Sequence, residues 1–228
     1  SLGDQLPHNK KPDTTIVGGQ LFPNEDSSYV REMLVQLKEK IPQLTVVSSK
    51  QPMAASNLAA TQMNRLLVWN EISLANPYQW SPAQYDAKSG AGQLSDWMQY
   101  PWSGVDQILL PGMRTAAERS LSGNASGQEI FLSVCGLMSC GSRTILMNRW
   151  RTGGRTPTIL MNEFITGMTS QPASTAWQFA TRIARSETLQ AKSEPRVRAG
   201  TDTPEEISAD HPFFWSGYLL VDTGAAPE

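Results

Sequence analysis

The chain has 228 residues, 39% of them hydrophobic and 18% charged, enough for one large domain with a substantial core. A formal net charge of −2 gives no electrostatic grip on nucleic acid or an anionic membrane. No apolar run nears the roughly 20 residues needed to span a bilayer.

Residues 1–13 are polar, include His8, and read as a flexible lead-in without the apolar stretch of a signal peptide. The chain also lacks an initiator Met, as expected of a tag remnant followed by an excised domain. "TTIVGG" (14–19) predicts a first strand. Tyr29, Val30, Met33, Leu34, Leu37 and Ile41 then recur at helical spacing, with Pro42 as the stop. "LTVVSS" (44–49) predicts a second strand and the Ala-rich 53–63 a helix. "RLLVWNEISL" (65–74) predicts a third strand, apolar through its first half as in a sheet covered on both faces.

Residues 75–93 read as a long loop, followed by one or two helical turns. A loop of that length is more often functional or partner-facing than idle. "QILLP" (107–111) predicts strand four. A helix starts after it, is interrupted at 122–127 and continues over 128–140. Strand five follows at 143–150, an amphipathic helix at 157–168 and another at 173–187. The last of these carries Ala173, Ala176, Trp177, Ala180, Ile183 and Ala184 on one stripe. A polar, charged stretch (187–210) leads to a final strand within 211–222, and 223–228 form a tail.

Strands and helices alternate, which predicts one doubly wound α/β domain over 14–222 with a mostly parallel, six-stranded sheet flanked by helices. Sites in such sheets form beyond the C-terminal strand ends. Strands three and four end at 71–73 and 112–114. The turn at Pro111–Gly112 is of the strand-to-helix kind that displays a nucleophile in many α/β enzymes. The residue on it is Met113, whose thioether has no proton to lose.

"HPFFWSGYLLVD" (211–222) resembles the closing motif of CHAT domains, the caspase- and separase-related cysteine peptidase-like domains of bacteria. "CGSRTILMNRWRTGGRTPTILMNEFITGM" (140–168) is similar to that family's strand ending in Trp and the helix after it. The resemblance implies a caspase-like fold, with weaker similarity back to about residue 20. In active members a His-Gly follows the third strand and a Ser-Ala-Cys-x-Thr motif ends the fourth; the histidine handles the thiol proton and the thiolate attacks a peptide carbonyl. Aligned to these motifs, "LLPGMRT" places Met113 at the cysteine and keeps Thr115, while "VWNEIS" places Ile72, or Glu71, at the histidine. Both members of the dyad are missing. The implied protein is a catalytically degenerate module for protein interaction or regulation, cytoplasmic, within a larger bacterial protein. Its partner is a protein or peptide, which includes other domains of the same polypeptide. No cofactor or metal is implied.

The alternative is an active cysteine endopeptidase using Cys135, because "LSVCG" superficially matches the family's nucleophile motif. Too few residues would then separate the nucleophile from strand five, so Cys135 is expected to be a small buried residue on a helix. A third reading is a small-molecule binding domain built on the vacated cleft and an arginine rim. Arg149, Arg151 and Arg155 form that rim past strand five and could hold a carboxylate, with Glu71 as a neighbouring counter-charge. Tyr78, Trp80, Tyr85, Trp97, Tyr100 and Trp102 offer an aromatic interaction surface. His211 is expected to fix the entry to the last strand. His8 and His211 give no zinc spacing, and no disulfide framework surrounds Cys135 and Cys140. "GLMSCGSR" (136–143) lacks the lysine of a phosphate loop, and "NAS" (124–126) is a chance glycosylation pattern.

Overall fold

A computed structural model describes residues 14–18, 21, 27–48, 63–69, 72–73, 105–114, 128–150, 152–195, 197 and 204–224. In chain order the elements are β1 (Thr14–Gly18), α1 (Ser27–Lys40), β2 (Leu44–Ser48), β3 (Arg65–Trp69), β4 (Ile72–Ser73), β5 (Gln107–Leu110) and β6 (Met113–Arg114). They continue as α2 (Gln128–Ser139), β7 (Thr144–Asn148), α3 (Arg155–Gly167), α4 (Ala173–Arg185), β8 (Thr188–Gln190), β9 (Glu206–Ser208) and β10 (Tyr218–Asp222).

The main sheet has six strands in the order β2-β1-β3-β5-β7-β10. The first five run parallel and β10 is antiparallel to β7. Side chains alternate across a strand, so a strand with apolar residues at every position must be covered on both faces. That is the case here. Leu66, Val68, Ile108, Leu110, Ile145 and Met147 pack on one face with Leu137 of α2. Leu67, Trp69, Leu109 and Leu146 pack on the other, beneath α1, α3 and α4. The fold is therefore α/β, with a mostly parallel sheet flanked by helices.

Small residues set the helix spacing on the second face. Ala173, Ala176, Ala180 and Ala184 are the buried stripe of α4, and a Cβ placed at Gly167 of α3 would stand 3.0 Å from the Ala176 methyl. Trp177 closes the gap to the sheet, with its ring 5.2 Å from Phe164 and 5.4 Å from Tyr218.

A charged side chain is buried at the start of β3. Arg65 opens β3 and is only 1% exposed. Its guanidinium donates to Gln107 Oε1 (2.5 Å), to the Ile165 carbonyl (3.1 Å) and to the Met168 carbonyl (3.4 Å). The last two are carbonyls at the C-terminal end of α3, which the helix itself leaves unpaired and where its dipole favours a cation. Burial lowers the Arg65 pKa to about 10.

Several elements depart from the sequence expectation: the third strand, expected over 65–74, is divided into β3 and β4, and β6 stands at 113–114 where a helix was expected to begin. The polar stretch 187–210 contains the antiparallel pair β8–β9, with Leu189 beneath it against Ala209 and Phe214. Helix α3 begins at Arg155 rather than 157, directly after Gly154.

Candidate functional site

The C-terminal ends of β3 and β5 are neighbours in the sheet, and both are prolonged by a further two-residue strand. β4 and β6 pair in parallel, with Ile72 opposite Met113 and Ser73 opposite Arg114. The two positions that the resemblance assigns to a histidine and a cysteine are thus register partners at adjacent strand ends. Neither residue can move a proton.

Met113 is fully buried, within the α2-side core together with Leu66, Val68, Leu110 and Met147. Pro111 and Gly112, which turn the chain into β6, are buried as well. A nucleophile must meet its substrate, and this position is filled with core material instead.

The next strand end is held by a polar network. Asn148, the last residue of β7, donates through Nδ2 to Thr152 Oγ1 at 3.1 Å, and Thr152 Oγ1 lies 3.0 Å from the Tyr218 hydroxyl. This ties the exit of β7 to the entry of β10. All three residues are buried.

Cys135 stands on α2. The expectation that it is buried is corrected: it is exposed. The reason is the outward phase of Phe131, Cys135 and Met138, which face away from Ile130, Val134 and Leu137 on the core side. Among the described residues no hydrogen bond joins its thiol to a base. Cys140 is half-buried, and burial raises its pKa, which lowers the thiolate fraction.

Two of the rim arginines are already engaged. Arg149 donates from Nη2 to the Ser216 carbonyl at 2.8 Å, with its guanidinium 5.2 Å from the Trp150 ring. Arg155 bridges to Glu187 at 3.2 Å. A rim of guanidiniums all aimed at one incoming carboxylate is therefore not what these two form; each ties a strand or helix end to a segment much later in the chain. Arg151, Glu71, Tyr78 and Trp80 lie outside the described residues, as do Tyr85, Trp97, Tyr100, Trp102, Thr115 and His8.

His211 is exposed and caps a short 3-10 turn (Pro212–Phe214), its Nδ1 accepting from the Phe213 N–H at 3.3 Å. The motif around it is structural. Trp150 Nε1 donates to the Phe213 carbonyl, Trp215 Nε1 to the Asp210 carbonyl, and the Arg185 guanidinium lies 4.6 Å over the Trp215 ring while its Nε donates to Asp210.

Sequence reasoning missed Glu194. It is 2% exposed, and its Oε1 accepts the Arg155 N–H at 3.1 Å, the first N–H of α3. A carboxylate at a helix N-terminus is favoured by the dipole. No local signal exposes it, because it arrives from 39 residues downstream. Among the described residues no group of three His, Cys, Asp or Glu side chains could hold a metal ion. No helix there is long and apolar enough to cross a membrane.

No family model and no curated protein sequence matches the chain. Among solved structures it is similar to the pyridoxal kinase from Staphylococcus aureus in complex with AMP-PCP and pyridoxal. That likeness has 10% sequence identity and a TM-score of 0.38, and covers 92% of this chain and 98% of that one.

Proposed function

We propose that the chain is a CHAT-like, caspase-like domain that has lost its catalytic dyad and serves as a protein-interaction or regulatory module of a larger bacterial protein. The observation that carries this reading is the β4–β6 pair. A histidine–cysteine dyad requires its two strands to be neighbours and its two residues to be level. Ile72 and Met113 meet both conditions and supply neither chemistry. The six-stranded, mostly parallel sheet and the packing of "HPFFW" at the entry to β10 are what the resemblance leads one to expect. The partner is a protein or peptide rather than nucleic acid or membrane, and the setting is cytoplasmic.

The alternative is a cysteine endopeptidase working through Cys135, which the exposure of that thiol favours. Against it stand the helical position and the absence of a hydrogen-bonded base among the described residues.

Cross-linking tests the geometry behind the reading. In a Cys135→Ser, Cys140→Ser background, Ile72→Cys with Met113→Cys should form a disulfide on mild oxidation, since opposed residues on neighbouring strands meet its distance limits. Failure to cross-link in a folded variant would separate the two strand ends and remove the basis for assigning a vacated dyad.

A further inference from the structure

The opposite side of the sheet ends in the edge strand β2. Among the described residues it pairs with β1 alone, which leaves its other row of backbone N–H and C=O groups without a partner strand there. Natural edge strands are ordinarily protected by a charge, a proline or a bulge. Leu44–Ser48 contains no charge and no proline, and its register with β1 is unbroken over all five pairs. Thr45 is exposed and Val46 is 44% exposed, so the middle of the strand is open.

Helix α1 connects β1 to β2 and packs on the face of the sheet that holds Ile16 and Leu44. One of its flanks is fixed against α3, where Asn162 Nδ2 donates to Gln36 Oε1 at 3.0 Å and Lys40 lies 3.9 Å from Glu163. At 100° per residue, Arg31 and Lys38 fall on the opposite flank, beside half-buried Leu34 and toward β2. Both are exposed, and seven residues of helix set them about 10 Å apart. Glu32 is turned to the other flank, where it accepts from Gln36 at 3.3 Å. Glu39 lies a further 100° round from Lys38, on the outer face.

The edge therefore offers backbone hydrogen-bonding groups, one apolar side chain and two cations in a row. We propose that it takes an extended, acidic segment of a partner protein as a seventh strand. Main-chain hydrogen bonds would supply the binding, and carboxylates beneath α1 the selectivity. A second copy of this chain fits less well, because a two-fold pairing of β2 with itself sets Arg31 and Lys38 of one copy beside the same cations of the other. The proposal is independent of how the β4–β6 strand ends are read.

The probe is a blocked seven-residue peptide alternating valine and glutamate, titrated into the ¹⁵N-labelled chain and followed by amide shifts. Shifts should concentrate on 44–48 and around Arg31 and Lys38. Binding should weaken at least roughly tenfold in R31E/K38E and in high salt. Both residues are exposed, so that variant should keep the wild-type melting temperature. A valine–lysine peptide should bind more weakly by a similar factor. The proposal is overturned by absent shifts at millimolar peptide, by shifts centred elsewhere, or by equal binding of the lysine peptide. It is equally overturned if the chain sediments as a dimer that Val46→Lys dissociates, which would make a second copy the occupant.

Discussion

Gly154→Ala should lower the stability of the chain by roughly 3 kcal/mol or more, from two separate causes. Gly154 has φ 85 and ψ −151, a region open essentially only to glycine. A methyl group there would also stand 2.5 Å from Glu194 Oε2 and 2.8 Å from the Ser193 carbonyl. The contact with Glu194 Oε2 drives the carboxylate off the N-terminus of α3. Glu194→Ala alone should cost about 1–2 kcal/mol, the usual value of a helix cap. In the double variant the contact with the carboxylate is gone while the backbone strain remains, so its loss should be smaller than the sum of the two. Urea unfolding of the four proteins measures this directly. A Gly154→Ala loss under about 0.5 kcal/mol would contradict the described turn.

Arg65→Ala should be comparably damaging, at about 3–5 kcal/mol. It leaves a void in the core and strips two helix-end carbonyls of their donor. Arg65→Met, which keeps most of the volume, should cost less, because it also removes a charge that burial disfavours. The pH dependence identifies that term. Burial lowers the Arg65 pKa from its ordinary range to about 10 in the folded chain, so above about pH 10 the unfolded chain binds more protons at this residue. The charge penalty is fully present below pH 10 and is relieved as pH rises from there toward the ordinary arginine range. The stability of the wild type relative to Arg65→Met should therefore rise as pH is taken from 9 to 11. A flat difference would mean that the guanidinium is not desolvated.

Much of the fold can be read from short stretches. Continuous apolar residues at 66–69 and 145–147 announce strands covered on both faces, and the spacing of Met33 and Leu37 announces the buried side of α1. The adjacency of Ile72 and Met113 follows from strand order once the two strand ends are located. What remains hidden depends on distant partners. Leu189 and Ile207 are register partners at the centre of two three-residue strands, too short for any alternation to show above the polar background. Arg65 reads as the polar start of a strand, because its acceptors lie about a hundred residues away. The arginine rim looks open in sequence, yet the Ser216 carbonyl and Glu187 reach Arg149 and Arg155 from later segments. Cys135 seemed suited to a core because its neighbours are apolar, but α2 is apolar on its outward side as well.

Under the proposed reading this domain performs no thiol chemistry, and a cleavage screen tests that most directly. The full chain, with and without iodoacetamide, would be incubated with a diverse peptide library, beside Cys135→Ala and Cys140→Ala variants. The account predicts the same uncleaved library in every sample. Cleavage that iodoacetamide abolishes and Cys135→Ala removes would contradict it, and would make the exposed thiol of α2 the nucleophile of an active peptidase.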